Sequence, residues 1–146
     1  MLSRTADSLY WLSRYIERAE NTARIIDAAS RLAALPAGYG AATNEWESAL
    51  AATGSLDAFY RVHEEATAET VVEFLAFSAQ NPSSIKSCLE VARFNARSVR
   101  TALTTEMWET INGAWLELKN HQGRDIDLSR LSAFLRYVKQ TSLSFD

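Results

Sequence analysis

A chain of 146 residues with 47% apolar side chains has the size of one domain and the material for one hydrophobic core. Five glycines and two prolines are too few for the many tight turns of an all-β sandwich or barrel. A net charge of -3, from 15 basic and 18 acidic residues well mixed along the chain, excludes the single-sign field that a nucleic-acid backbone or an anionic membrane would select.

The chain opens on Met1-Leu-Ser-Arg-Thr-Ala-Asp7, which lacks the apolar core of a signal peptide. No stretch approaches the roughly 20 uninterrupted apolar residues of a membrane span. The only cysteine, Cys88, has no disulfide partner and no zinc-spaced Cys/His cluster beside it, which fits a reducing compartment. The expectation is a cytoplasmic protein of one domain, residues 1–146, with neither nucleic acid nor membrane as partner.

From Thr5 to about Leu35 there is no glycine or proline, and Leu9, Leu12, Ile16, Ala19, Ala23, Ile26 and Ala33 recur at alternating spacings of three and four. This predicts one long helix with a bundle-like seam, stopped by the Pro36–Gly40 segment. Asn44 is placed to cap a short helix carrying Trp46 and Leu50 that ends near Gly54, and a brief helical stretch follows at Leu56–His63. Thr67 opens a helix burying Val71, Phe74 and Leu75, which Gln80-Asn81-Pro82 ends.

Ser83 or Ser84 caps a second long helix whose stripe is Ile85, Cys88, Ala92, Asn95, Val99 and Ala102. Thr104 or Thr105 opens another, with Trp108, Ile111, Trp115 and Leu118 on one face, and Gly123 ends it. A last helix from about Asp127 presents Leu128, Leu131, Leu135, Val138 and Phe145. The fold class is therefore an all-α bundle of about five to seven helices with the longest at the N-terminus. Displacing the chain by 73 positions aligns Glu17 with Glu90, Ala19 with Ala92, Ala23 with Ala96 and Arg24 with Arg97, a match that duplication or chance amphipathicity would each produce.

Polar side chains crowd the first helix: Arg14, Glu17, Arg18, Glu20, Asn21 and Arg24, beside Tyr10, Trp11 and Tyr15. At about 100° per residue Glu17 and Arg18 point in different directions and need different partners. Two readings follow. Glu20 with Arg24 and Arg14 with Glu17 form solvated pairs that contribute a few tenths of a kcal/mol each, so about 0.3 kcal/mol. Alternatively Glu17 and Arg18 are buried in an arginine–carboxylate network that joins this helix to another helix, a second copy or a partner. Trp11, off the main seam beside Arg14 and Arg18, is the stronger interface candidate, whereas Trp108 and Trp115 share a core spacing.

Asn95, flanked by Arg93, Arg97 and Arg100, either sets helix register or orients an anionic ligand held by those arginines. His63 and His121 belong to no His-Glu-x-x-His or Glu-x-x-His arrangement, and Ser, Thr and Cys88 have no triad context, so the residues indicate neither a metal nor a cofactor nor a catalytic group.

The stretch Leu2-Ser-Arg-Thr-Ala-Asp-Ser-Leu-Tyr-Trp-Leu-Ser-Arg-Tyr-Ile-Glu-Arg-Ala-Glu-Asn-Thr-Ala-Arg24 resembles the bacterial alpha-E family, a helical domain named for a Glu-Arg pair that Glu17-Arg18 matches. The likeness continues through Asn81-Pro-Ser-Ser-Ile85, Ala92-Arg-Phe-Asn-Ala-Arg97 and Glu106-Met-Trp-Glu-Thr-Ile-Asn112, with Phe94 where the pattern calls for a charged residue. The resemblance implies a non-catalytic helical partner in a peptide synthesis or modification system, alongside ATP-grasp type ligases and transglutaminase-like proteins. It also implies a unit often carried in tandem, so that this chain is one copy or an N-terminal portion and forms a homo-oligomer in place of its twin. The competing class is a subunit that binds carboxylate or phosphate through its Arg/Glu clusters.

Overall fold

The computed structural model describes residues 2–35 and 44–121, with side chains for 3–35, 44–113, 115 and 116. Among the described residues every regular element is helical. The first, α1 (Leu2–Ala33), is the longest, about 48 Å at 1.5 Å per residue. Leu12, Ile16, Ala19, Ala23, Ile26 and Ala29 line its buried face, while Leu9 is half-buried and Ala33 exposed.

After the break, α2 (Glu45–Ala52) begins where the Asn44 carboxamide oxygen accepts from the backbone N–H groups of Trp46 and Glu47, at 3.0 and 3.2 Å. Such a cap contributes about 1 kcal/mol. Its C-terminus is a left-handed turn at Gly54, φ 69°, with the Ser55 N–H donating to the Leu50 carbonyl and the Gly54 N–H to that of Ala51. A side chain at this φ would be strained, which is why glycine ends the helix. The following turn of helix, α3 (Leu56–Tyr60), buries Phe59 completely.

Thr67 and Thr70 then exchange side-chain and backbone hydrogen bonds in a capping box that starts α4 (Ala68–Val72). The expected α-helix through Leu75 widens instead into a π-helical turn, Glu73–Phe77. Phe74, Leu75 and Ala76, three consecutive residues of this turn, are all buried. Asn81, itself buried, donates from Nδ2 to the Phe74 carbonyl at 3.0 Å and accepts the Ser83 N–H, so it closes the end of that turn.

Ser84, not Ser83, caps α5 (Ile85–Ser98), accepting the Ser87 N–H at 3.1 Å. The buried face of α5 is Ile85, Cys88, Leu89, Ala92 and Ala96, continued by Val99; the expected stripe members Asn95 and Ala102 are half-buried and exposed. α1 packs most extensively on α5 and next on α2, and the alanines at 19, 23, 92 and 96, all buried, keep the side chains along the two long helices short enough for close approach. A 3₁₀ turn, Arg100–Ala102, leads to α6 (Thr105–His121), whose Thr104 hydroxyl accepts the Met107 N–H. Ile111 and Met107 are buried there, and Trp108 and Trp115 pack partly buried against the core. The Pro36–Gly40 break, the Leu118 side chain, the stop at Gly123 and the last helix from Asp127 lie outside the described residues. Among the described residues no helix is long and apolar enough to cross a membrane.

Candidate functional site

The six polar residues singled out on the first helix share one feature: Arg14, Glu17, Arg18, Glu20, Asn21 and Arg24 line an open cleft of about 340 Å³ along α1. They are not equivalent. Glu20 is buried, 1% exposed, and its Oε1 lies 2.7 Å from the Arg24 guanidinium, which reaches it from the solvent side. The 100° rotation per residue places Glu20 only about 40° from Ile16, so the seam itself carries this carboxylate inward. That pair is therefore an anchor of the cleft floor rather than the solvated pair its i, i+4 spacing allows.

Glu17 and Arg18 stand the other way. Their expected burial does not occur within the chain: both are exposed, because positions 17 and 18 fall on the arc opposite Leu12, Ile16 and Ala23. Glu17 reaches Arg14 at only 4.0 Å, with both side chains more than half exposed, a contact at the limit for an ion pair. The Arg18 guanidinium lies over the Tyr15 ring, 5.1 Å from its centre. Tyr15 leans on Trp11, and Trp11 meets Tyr10 edge-on at 5.3 Å, so an aromatic row continues the cleft toward the helix start. Trp11 is 41% exposed and Tyr10 55%. The far side of α1 thus leaves Arg14, Arg18 and Asn21 exposed, with Ile25 half-buried beside them.

The arginines of α5 do not gather around Asn95. Asn95 donates from Nδ2 to the Val91 carbonyl of its own helix at 2.9 Å, a bond made within the helix and not across the bundle. Arg93 turns to α6: its Nε donates to the Asn112 side-chain oxygen at 2.8 Å and its guanidinium lies 4.3 Å above the Trp115 ring. Arg100 stacks on Trp108 in the same way at 5.2 Å. Arg97 is exposed, and Phe94 beside it is 71% exposed. The structure therefore divides the predicted residues into an open set on α1 and a closed α5–α6 junction.

Cys88 is buried on α5, and that burial pushes its thiol up to about 11, opposed weakly by the charge of Arg18. A thiol that stays protonated at neutral pH is a poor nucleophile. Two features were not visible in the residue pattern. The Tyr60 hydroxyl donates to a Glu47 carboxylate oxygen at 3.0 Å, which holds the phenol above its ordinary range and ties α3 to α2. His63 stacks on Phe59 at 4.9 Å and approaches Glu73 at 3.5 Å, beside a second open cleft of about 390 Å³ formed with Phe77 and Ser78 at the π-helical turn.

Compared with known families, the chain matches over residues 1–146 the family described as Alpha-E, a predicted alpha-helical domain with a conserved ER motif. No curated protein and no solved structure matches it.

Proposed function

The chain belongs to the Alpha-E family, and from that premise we propose that it is a non-catalytic, cytoplasmic interaction module of a peptide synthesis or modification system. Its partner is an ATP-grasp type ligase or a transglutaminase-like protein, and docking uses the outer face of α1. One observation supports this reading above the rest. The Glu17-Arg18 pair, with Trp11, Arg14 and Asn21, faces outward from a helix whose opposite side is already packed. Tryptophan, tyrosine and arginine are the residues enriched where binding energy concentrates, and among the described residues the pair makes only exposed contacts within its own helix, to Arg14 and Tyr15. Family membership supplies the ER pair; the kind of partner follows from the resemblance alone.

The test is recovery of partners on the tagged chain from its native cells, followed by an ATP-dependent ligation assay on what is recovered. A ligase retained by the wild-type chain and lost with Arg18→Ala supports the reading. Recovery unchanged by Arg18→Ala and Trp11→Ala removes the α1 face from it.

The cleft of about 340 Å³ favours a second reading, a carboxylate- or phosphate-binding subunit, because Arg14, Arg18 and Arg24 converge on it. Calorimetric titration with inorganic phosphate and with a simple dicarboxylate decides: saturable binding lost in Arg14→Ala and Arg18→Ala favours the ligand, and no heat of binding leaves the docking module.

A further inference from the structure

The outer face of α1 carries three adjacent rows at heptad spacing. The central row is Arg14, Asn21 and Ala28; one flank is Tyr10, Glu17, Arg24 and Arg31; the other is Trp11, Arg18, Ile25 and Leu32. Residues seven apart on a helix lie within about 20° of one another, so each row runs nearly straight along the axis. Apart from the half-buried Ile25, all of these side chains are exposed, including Trp11, Tyr10 and Leu32 among the large apolar ones. A row with aromatics at one end, charges in the middle and leucine at the other has an unusual property. It complements itself when reversed.

In an antiparallel helix pair with a two-fold axis at Asn21, residues equally distant from position 21 face each other, and each flank meets the same flank of its partner. On the first flank Tyr10, eleven residues before the axis, meets Arg31, ten residues after it, at both ends. On the other flank Trp11 meets Leu32, and Arg18 lies against Ile25. Arg14 lies over the small Ala28. Glu17, four residues before the axis, opposes Arg24, three residues after it, and the symmetry makes that contact twice. Asn21 meets its own copy at the centre, the position at which a single polar residue fixes register in helix pairs. The parallel arrangement fails on the same residues, because it sets Glu17 on Glu17, Arg18 on Arg18 and Arg24 on Arg24, and opposed like charges cost affinity.

The intramolecular contacts leave these groups available. Glu17 holds Arg14 only at 4.0 Å, and Arg24 keeps half its side chain in solvent while bonded to Glu20. An isologous interface requires a self-complementary patch about a two-fold axis, and both the charge order and the placement of the apolar residues supply one.

We propose that a second copy of this chain docks antiparallel on the outer face of α1, about a two-fold axis at Asn21, with Glu17 of each copy on Arg24 of the other. This rests on the reading of α1 as a docking face and names the first partner that the face takes.

The test is made on the full chain by sedimentation velocity over a range of concentrations, joined to disulfide trapping. The wild type should associate to a dimer. Glu17→Arg should weaken the dimer by about tenfold or more, since it replaces two attractive contacts by repulsive ones, and the combination Glu17→Arg with Arg24→Glu should recover most of that loss. Arg24→Glu places a second carboxylate beside Glu20, so Asn21→Cys gives an independent reading that leaves the charges alone. Mild oxidation should couple two copies through Asn21→Cys far faster than through Phe94→Cys, another exposed position, on α5. A wild type that stays monomeric at the highest concentration overturns the proposal, as does a dimer that neither Glu17→Arg nor the trapping at position 21 touches. A monomer whose Trp11→Ala variant loses thermal stability also overturns it, because the face is then filled from within the chain. Should the chain be monomeric yet still recover a ligase through Trp11 and Arg18, the second copy is wrong and the docking reading stands.

Discussion

Two regions of this protein use the same chemistry to opposite ends. At the junction of α5 and α6, Arg93 and Arg100 lie over Trp115 and Trp108, and Arg93 is held to Asn112 by a 2.8 Å hydrogen bond. Along α1, Arg14 and Arg18 stand beside Tyr10, Trp11 and Tyr15, yet these arginines and Trp11 remain exposed. Arginine and aromatic rings next to one another therefore do not by themselves mean an interface or a core. What separates the two cases is whether a second helix lies across the rings. α6 does so for α5, whereas among the described residues α1 packs chiefly on α5 and α2, with its opposite side.

The largest effect should come from the face of α1 on which both regions depend. Ile16→Ala removes a fully packed side chain between α1 and its neighbours, and should lower stability by about 2–5 kcal/mol, read as a fall in the urea midpoint. A loss below 1 kcal/mol would mean that the α1–α5 packing described here is wrong. Next in size, Arg93→Ala should cost about 1–3 kcal/mol, because it leaves Asn112 without its donor and uncovers Trp115. If Arg93→Ala is silent, the junction is no more closed than the α1 face and the comparison fails.

Most of the architecture could be read from the residues, and the physical reason is the same wherever it worked. Long runs at a helical period, free of glycine and proline in α1 and α5, lead to α1, α5 and α6, and the caps at Asn44, Thr67 and Ser84 follow from local chemistry. The π-helical turn did not follow, since no local residue pattern marks it; it coincides with three consecutive buried residues, Phe74, Leu75 and Ala76. The candidate site was legible as a list and not as a geometry. The polar residues of α1 line one cleft, but the burial of Glu20 and the exposure of Glu17 and Arg18 depend on the exact rotation of the helix against α5. Asn95 and Arg93 parted company for a related reason. A half-buried asparagine can satisfy itself on its own backbone, and a long arginine reaches whichever helix offers an acceptor.

A smaller effect sharpens the comparison from the buried side. The folded Cys88 thiol lies above its ordinary value of 9.0, at about 11, because burial disfavours the thiolate. The stability linked to this group is fully present below pH 9.0 and is lost as pH rises toward about 11. It should account for about 1 kcal/mol of weakening by pH 10. Comparing unfolding of the wild type and Cys88→Ala between pH 7 and pH 10 isolates it, and an identical pH dependence in the two would contradict the burial argument. Smallest of all, Arg14→Ala should change stability by less than about 0.5 kcal/mol, as expected for an exposed side chain whose nearest carboxylate is 4.0 Å away.

The central claim, that the outer face of α1 serves association and not folding, is met most directly at Trp11. Unfolding of wild type and Trp11→Ala is followed at protein concentrations too low for association, and self-association of both is then measured at high concentration. The account predicts that the unfolding midpoints of the dilute samples coincide within about 0.5 kcal/mol, and that the variant loses most of the association shown by the wild type. A Trp11→Ala chain that unfolds several kcal/mol more easily while associating as before would contradict it, and would make Trp11 part of the core.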